Sequence, residues 1–242
     1  MVLIFQIYSI KITRVIIYMD VQDKIVLICA VGRSGSTTTQ RMLNIIPNSN
    51  ICGENMGAIN SLLEFYKRIK TTSTDYVPGH FRPASYETII EKNVKPAWYN
   101  SYNFIQVTNM IRSTIIMLFK KSAETNLWGF KEIRYDRGNV HYLKEFKELF
   151  PQTKVIIQIR ENIQAQAQSS WFKDDANAIG YIKQNSKELS EFYKKNSDYC
   201  FFITFEQLFA ENNVKNMFKF IDCEQHYDAA KIKYILNNNI KD

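Results

Sequence analysis

The sequence predicts an α/β protein with three layers, in which helices cover both faces of a mostly parallel sheet. Short runs rich in valine, isoleucine and phenylalanine alternate along the 242-residue chain with longer segments of helical periodicity. This order is typical of parallel strands joined by right-handed helical crossovers. The strongest runs are apolar at nearly every position, as expected for strands that are covered on both faces.

The chain is expected to form one domain after a short N-terminal extension. Hydrophobic residues make up 45% and charged residues 23%, an ordinary balance for a globular protein, and no repeat, low-complexity tract or linker interrupts it. We therefore assign residues 20–242 to a single domain. Residues 1–19 are largely apolar but contain Lys11 and Arg14, and they lack a signal-peptide cleavage site. A dispensable extension or wrongly assigned start, a membrane anchor and a packed arm remain open for them.

The first half of the domain begins with a strand, a turn and a helix. Residues 24–31, KIVLICAV, predict a buried strand, and the helical spacing after the following turn ends at Pro47. Residues 48–55 predict a short strand and turn, and residues 57–70 predict an amphipathic helix. Residues 71–102 contain three prolines and six aromatic residues with little periodicity, which indicates an inserted functional loop or lid.

The second half continues the alternation of helices and strands. A helix over residues 104–121 precedes a strand at 127–133, and a helix over 141–150 precedes a buried strand at 154–160. Two helical stretches follow, and then a strand with the sequence CFFITF. One helix over residues 206–221 is expected after that strand.

The turn after the first strand has the features of an anion-binding loop. It reads GRSGST between a buried strand and the start of a helix. Glycine lets the backbone approach an anion closely, and the amides of a helix's first turn point at the anion with the positive helix end behind them. A Ser/Gly turn that merely caps the helix is the plainer interpretation. The side chains that could add donors are Arg33, Ser34, Ser36, Thr37 and Thr38.

This loop is not that of a nucleoside-triphosphate-binding protein. Such a loop requires a lysine after its last glycine and then a hydroxyl that holds magnesium. Here Ser36 follows Gly35, so the lysine is missing. The loop therefore favours a nucleotide with fewer phosphates that binds without a metal ion.

The loop resembles that of the sulfotransferases that use PAPS, 3′-phosphoadenosine 5′-phosphosulfate. Arg-Ser-Gly followed by two hydroxyl residues is similar to the bacterial glycolipid, Golgi carbohydrate and tyrosylprotein branches, whereas many cytosolic relatives carry a lysine there. The resemblance implies that residues 33–38, Gly35 among them, bind the 5′-phosphosulfate. It also implies the P-loop NTPase-like sulfotransferase fold, with the donor lying across the carboxyl ends of the strands.

A second part of the resemblance covers residues 154–172, KVIIQIRENIQAQAQSSWF. In that family an arginine ends a strand, a serine follows eight or nine residues later in the next helix, and together they hold the 3′-phosphate. Arg160 and Ser169 match these positions, with Ser170 as the fallback. An arginine's planar fork suits a bidentate phosphate contact. A capped helix after a core strand is the plainer interpretation.

Two further matches concern catalysis. The segment ICGEN places Glu54 where several branches have a carboxylate general base, and LWGFKEIRY places Lys131 where a lysine stabilises the transferring group. From the residues alone, Glu54 could be a carboxylate favoured at a helix start and Lys131 a surface or salt-bridged lysine. His80 and His141 are further candidate bases by residue type.

The resemblance implies PAPS as donor, PAP (the desulfated nucleotide) as product, no metal ion, and an unidentified acceptor. Carbohydrate, lipid, peptide tyrosine and small-molecule hydroxyls or amines all remain open. Trp98, Tyr99 and Tyr102 could stack on a sugar or aromatic acceptor, or could simply pack the loop. A P-loop nucleotide kinase or other phosphotransferase and a non-catalytic nucleotide or polyanion binder remain as alternatives. Magnesium dependence would identify the first, and an activity assay would separate the second from an enzyme.

Charge and cysteine content limit the partners and the location. The net charge of +7 suits an anionic partner or simply a basic surface. No nucleic-acid partner is expected, because the basic residues are scattered without a recognition motif. The four cysteines lie far apart, which favours a reducing, cytoplasmic location. Membrane association would depend on residues 1–19, and the oligomeric state stays undetermined.

Overall fold

The computed structural model describes residues 23–74, 103–136 and 138–238. Within them, five strands form one sheet in the order β2–β3–β1–β4–β5, and all neighbouring strands are parallel. The strands are β1 (Lys24–Ala30), β2 (Ser49–Cys52), β3 (Leu127–Glu132), β4 (Lys154–Ile159) and β5 (Cys200–Thr204). The prediction of a mostly parallel sheet is confirmed.

Helices connect these strands and cover the sheet. The helices are α1 (Ser36–Leu43), α2 (Ala58–Thr74), α3 (Phe104–Phe119), α4 (Tyr142–Leu149), α5 (Ile163–Ala167), α6 (Ala178–Lys195), α7 (Glu211–Phe220) and α8 (Ala229–Asn237). Short 3₁₀ helices span Asn139–His141, Ser170–Phe172, Glu206–Phe209 and Glu224–His226. Because α2 extends to Thr74, the loop that was predicted to begin at residue 71 overlaps its last turn.

Alternate residues of β1 build two separate hydrophobic cores. Ile25, Leu27 and Cys29 face one core, which α2, α3, α4 and α6 cover, while Val26 and Ile28 face the other, which α1, α7 and α8 cover. All five are at most 1% exposed. Both faces of β1 are therefore buried, which explains its unbroken apolar sequence and confirms the three-layer prediction.

The strand order brings the loops that carry polar motifs to one edge. The chain leaves β1 for the edge strand β2, returns to β3 beside β1, and then crosses to β4 on the other side of β1. In an open parallel sheet, such a reversal at the carboxyl ends creates a crevice where ligands bind. The loops after β1, β2, β3, β4 and β5 meet at this edge.

The structure differs from the sequence prediction after β5. The helix expected over residues 206–221 is interrupted at Ala210, which is extended (φ −96°, ψ 115°) and separates a 3₁₀ turn from α7. The Glu206 carboxylate in that turn accepts the amides of Glu161 and Asn162, at 3.0 and 3.1 Å. The turn is therefore tied to the loop after β4 rather than continuing into α7.

Several predictions fall on residues outside the described ranges. The N-terminal extension and most of the 71–102 loop are among them. No helix within the described ranges is long and apolar enough to cross a membrane. All four cysteines of the chain are described, and all are free thiols.

Candidate functional site

The carboxyl ends of the strands open into a cleft of about 210 Å³. Its walls come from the loops that follow all five strands and from the first turns of α1. Positive charge predominates, which suits an anionic ligand. The charged residues that line the cleft are Arg33, Arg41, Lys131, Arg160 and Glu54.

The loop between β1 and α1 offers unpaired backbone donors to the cleft. Gly35 precedes α1 with left-handed dihedral angles (φ 76°, ψ 14°), and its carbonyl accepts the amides of Thr38 and Thr39 at 2.9 and 3.4 Å. Among the described residues, no acceptor pairs with the amides of Gly35, Ser36 and Thr37. These first-turn amides are the donors that helix N-termini present to phosphate-like groups.

Position 35 accepts only glycine. A Cβ atom there would lie 2.2 Å from ring atom Cδ2 of Phe205, in addition to the cost of the positive φ. Phe205 follows β5 and also lines the cleft. The close approach of this ring to the loop backbone therefore requires the glycine.

Two buried glutamines hold the loop from behind. Gln158, in β4, donates to the Ser34 carbonyl at 2.8 Å and accepts the Thr39 hydroxyl at 2.6 Å. Gln166, in α5, donates to the Gly32 carbonyl at 2.6 Å. Both glutamines are fully buried. The loop carbonyls are thus paired inside the protein, and the unpaired amides are left to the cleft.

The hydroxyl residues of the loop are not equivalent. Ser36, Thr37 and Thr38 line the cleft. Ser34 is fully buried, and its Oγ finds no hydrogen-bond partner in the part of the chain that the structure describes. The Ser34 side chain therefore lies beneath the loop rather than in the cleft.

Arg33 and Ser169, which were predicted from separate motifs, are in direct contact. The Nε of Arg33 donates to Ser169 Oγ at 2.9 Å, and the guanidinium lies 5.5 Å from the ring centroid of Trp171. Ser169 is not within α5 as expected, because that helix ends at Ala167. Ser170 instead turns the chain with a φ of 51°, and Ser169 rather than Ser170 lines the cleft.

Arg160 follows β4 and has unused donor capacity. Its guanidinium lies over Phe205, 5.0 Å from the ring centroid, and its Nε is 4.0 Å from Oε1 of Glu206. That Nε is buried and makes no hydrogen bond to the described residues. Since an unpaired buried donor is costly, this arrangement favours an anion beside Arg160.

Glu54 and Lys131, the two predicted catalytic residues, form an ion pair. Lys131 Nζ donates to Glu54 Oε1 at 2.5 Å, and Arg134 donates to Glu54 Oε2 at 3.0 Å. Burial raises the pKa of Glu54, but the hydrogen bonds and charges of Lys131 and Arg134 outweigh burial and lower that pKa below its ordinary value. The strength of Glu54 as a base therefore depends on how closely these two cations are held.

A second carboxylate lies behind this pair. Glu132 is 1% exposed, and its Oε2 accepts the amides of Asn55 and Gly57 at 3.1 and 3.0 Å. Its Oε1 accepts the Arg134 guanidinium at 2.8 Å. Arg134 therefore bridges the buried carboxylate of Glu132 and the cleft carboxylate of Glu54.

A polar groove of about 620 Å³ adjoins this cluster beside α2. Arg134 lines it, with Nη2 2.9 Å from the sulfur of Met56. Some of its polar side chains are fixed, since Asn60 donates to the Arg134 carbonyl and Tyr142 to a carboxylate oxygen of α2. The other polar residues of the lining are Ser61, Glu64, Asp136 and Asn139.

His141, the other candidate within the described residues, does not reach the cleft. His141 packs on Tyr142, with its Nδ1 2.7 Å from the Gly138 carbonyl, and does not line the cleft. Among residues 23–74, 103–136 and 138–238, no group of three His, Cys, Asp or Glu side chains could hold a metal ion. The predicted aromatic and histidine candidates that lie outside the described residues are His80, Trp98, Tyr99 and Tyr102.

Two kinds of site residue were not predicted from the sequence. Arg41, Trp171 and Phe205 line the cleft without any local motif that would have revealed them. Gln158 and Glu132 support the site from buried strand positions, and these did leave a signal. A polar residue inside an apolar strand must find a partner, and its position is therefore informative.

Comparison with protein families is consistent with this geometry. Residues 26–226 match the model of a family described as the sulfotransferase family. Among curated proteins, no sequence matches the chain significantly.

Three solved structures are similar to the chain. The sulfotransferase domain of the Synechococcus PCC 7002 olefin synthase is 19% identical, with 92% of this chain and 80% of that one covered and a TM-score of 0.49. A sulfotransferase from Mycobacterium tuberculosis H37Rv is 9% identical, with coverages of 91% and 72% and a TM-score of 0.43. One from Alicyclobacillus acidocaldarius is 11% identical, with coverages of 89% and 90% and a TM-score of 0.42.

Proposed function

The chain belongs to the sulfotransferase family, and we propose that it transfers a sulfuryl group from PAPS to a hydroxyl or amine of an acceptor. One observation carries the proposal. A cationic cleft with unpaired donors lies directly beside an ion pair that contains a carboxylate base, Glu54 with Lys131. When bound, PAPS supplies the activated sulfuryl group. The protein binds and orients PAPS and the acceptor, and it accepts the acceptor's proton.

The cleft offers a separate donor set for each charged end of PAPS. The unpaired amides of residues 35–37, with the hydroxyls of Ser36 and Thr38, suit the 5′-phosphosulfate. Arg160 and Ser169 suit the 3′-phosphate. Arg33, which the resemblance assigned to the 5′-phosphosulfate, is proposed to join them because it donates to Ser169, and both guanidinium groups can form charge-assisted hydrogen bonds. The buried, unpaired Nε of Arg160 is the strongest support for that assignment.

Glu54 and Lys131 have separate chemical roles, one in proton transfer and the other in charge stabilisation. Glu54 accepts the proton of the acceptor while the acceptor oxygen or nitrogen attacks sulfur. The bond between sulfur and the 5′-phosphate oxygen breaks, PAP leaves, and Lys131 neutralises charge on the transferring and leaving oxygens. Lys131 faces the same cleft as the loop amides. A shift of Lys131 from Glu54 toward the donor would remove a cation from Glu54, raise its pKa and strengthen it as a base.

The acceptor is proposed to enter along the polar groove that adjoins Arg134. The lining of this groove combines amide, hydroxyl and carboxylate groups beside α2. Such groups pair well with the hydroxyls of a carbohydrate, whereas a steroid or a lipid chain would leave them unpaired. A hydroxyl-rich acceptor is therefore favoured over an apolar one.

The proposal is tested by incubating the protein with labelled PAPS and a panel of oligosaccharides, glycolipids, tyrosine peptides and phenols. We expect label in at least one hydroxyl-rich acceptor, with the metal removed by chelator, and labelling about 10²–10⁴-fold slower with Glu54→Gln. Magnesium-dependent phosphoryl transfer from ATP, without any sulfuryl transfer, would overturn the proposal and favour a phosphotransferase.

A further inference from the structure

We propose that Arg134, held by the buried carboxylate of Glu132, is a positioning residue that fixes Glu54 for proton transfer. The inference rests on the proposed role of Glu54 as the general base. Two cations near the end of β3 then have different functions. Lys131 stabilises the transferring sulfuryl group, and Arg134 positions the base Glu54.

Glu132 holds the backbone of the turn that carries Glu54. Met56 and Gly57 both have left-handed φ angles, of 58° and 76°, so the turn is an uncommon backbone conformation that needs support. Glu132 supplies that support by accepting the amides of Asn55 and Gly57. The position of Glu54 relative to β3 thus depends on the carboxylate of Glu132.

Arg134 is fixed through both its backbone and its side chain. Its amide donates to Glu132 Oε1 at 3.2 Å, and its carbonyl accepts the Asn60 side chain at 2.9 Å. Its Nη1 lies between two carboxylates, 2.8 Å from Glu132 and 3.0 Å from Glu54. A planar guanidinium can hold both carboxylates in one geometry, which a single ammonium group on a flexible stem does less well.

The placement of Arg134 separates its role from that of Lys131. Lys131 lines the donor cleft, whereas Arg134 lines the polar groove and not the cleft. A donor that attracts Lys131 would therefore leave Arg134 in place. Arg134 is the contact that keeps the Glu54 carboxylate oriented while Lys131 faces the sulfuryl group.

The charges around Glu54 determine what an Arg134 substitution should do. The charged groups that face Glu54 or line the same cleft are Lys131, Glu132, Arg134, Arg33, Arg41 and Arg160. Neutralising Arg134 removes one of the two cations in contact with Glu54 and leaves Glu132 without its guanidinium partner. Both changes make the ionised form of Glu54 less favourable.

The test compares Arg134→Gln with Arg134→Lys in steady-state sulfuryl transfer. We expect Arg134→Gln to lower kcat about 10²-fold, the cost of a misplaced catalytic group, while the KM for PAPS stays unchanged. The acid limb of its kcat–pH profile should move to higher pH. Arg134→Lys should return that limb toward the wild-type position, because it restores the charge, but should recover only part of kcat.

Controls separate positioning from damage to the fold. The Arg134 side chain is 33% exposed, so we expect the variants to fold, with melting temperature and PAP affinity as the checks. Lys187→Gln, which removes an exposed ion pair with Glu191 outside the cleft, is the matched control and should behave as wild type. A purely structural role would lower the melting temperature without moving the acid limb.

A second measurement does not depend on turnover. An NMR titration of the carboxyl-labelled protein should show a higher pKa for Glu54 in Arg134→Gln than in wild type. Suppose that the wild type transfers sulfuryl groups and that Arg134→Gln leaves both the Glu54 pKa and kcat unchanged. That result would overturn this inference but not the proposed function. A wild type that neither binds PAP nor transfers would instead overturn the proposed function on which the inference rests.

Discussion

The half of the cleft that we propose binds the donor PAPS and the half that we propose transfers the proton differ in how their polar groups are paired. In the donor half, the loop amides of residues 35–37 and the Nε of Arg160 make no hydrogen bond to the described residues, while neutral glutamines hold the loop from behind. In the proton-transfer half, every charge is already paired, since Glu54 and Glu132 share Lys131 and Arg134 between them.

This difference indicates which half must change when ligands bind. Amide and guanidinium groups that lack hydrogen-bond partners and are held from behind can bind an anion without rearrangement. The donor half is therefore preorganised. A closed network of ion pairs must exchange a partner before one of its members can act on a ligand. We therefore expect substitutions in the donor half to alter binding, and substitutions in the other half to alter the rate.

The largest expected effect is on the rate, in the proton-transfer half. Glu54→Gln preserves the shape of the side chain, so donor affinity should stay nearly intact while the transfer rate falls about 10²–10⁴-fold. Lys131→Ala should also slow transfer, but it should weaken donor binding as well, because Lys131 lines the donor cleft. Single-turnover kinetics with labelled PAPS measure both. Glu54→Gln transferring at the wild-type rate would show that the base lies elsewhere, with His80 as the next candidate.

In the donor half, the expected effect is on affinity. Arg160→Ala should weaken PAP by about 1.5–3 kcal/mol, the value of a charge-assisted hydrogen bond, and Ser169→Ala by less. An analogue without the 3′-phosphate should lose much less affinity on either substitution. Calorimetric titration of both ligands measures the difference. Equal losses for the two ligands would mean that these residues act on the fold rather than on the 3′-phosphate.

A smaller effect is expected from the support beneath the loop. Gln158→Leu would leave the Ser34 carbonyl and the Thr39 hydroxyl unpaired in the interior. The free energy of unfolding should fall by about 1–3 kcal/mol, and PAP should bind more weakly because the loop is no longer fixed. Urea unfolding and PAP titration are the measurements. Unchanged stability with unchanged affinity would show that the donor half does not depend on this support.

The smallest expected effect is a dependence of stability on pH in the proton-transfer half. The pKa of Glu54 in the folded protein lies below its unfolded value of about 4.3. Its ion pairs therefore stabilise the fold fully above that pH, and this contribution is lost as the pH falls through the folded pKa. Urea unfolding at neutral pH and at about pH 4 should show a steeper acid loss for wild type than for Glu54→Gln. Identical pH dependence would mean that the ion pairs add nothing to stability.

The residues of the donor half were easier to name from the sequence than the contacts of the other half, for a physical reason, although their roles stay predictions. The loop of residues 33–38 joins a buried strand to a helix in consecutive residues, and Arg160 directly follows another buried strand, so local patterns were enough to single them out. The contact between Arg33 and Ser169 was not stated beforehand, but both residues were named. The helix position of Ser169 was predicted wrongly, because α5 ends at Ala167 and no sequence signature marks that end.

The Glu54 cluster depends on contacts between residues that are distant in sequence. Glu54 and Lys131 were predicted by resemblance, but nothing local indicated that they would be paired with each other. Arg134 was missed because a charged residue beyond a strand end is usually solvated. Glu132 left the signal of a carboxylate in an apolar strand, but that signal does not reveal which residue is its partner. Only the pairing of β2 with β3 brings the turn after β2 onto the Glu132 carboxylate.

The claim that the cleft binds PAPS is best tested by a thermal-shift titration with PAP in metal-free buffer. A ligand that binds only the folded state raises its melting temperature as its concentration increases. We predict that PAP stabilises the wild-type protein without magnesium, and that Arg160→Ala requires much more PAP for the same shift. Stabilisation by ATP with magnesium, and none by PAP, would contradict the claim.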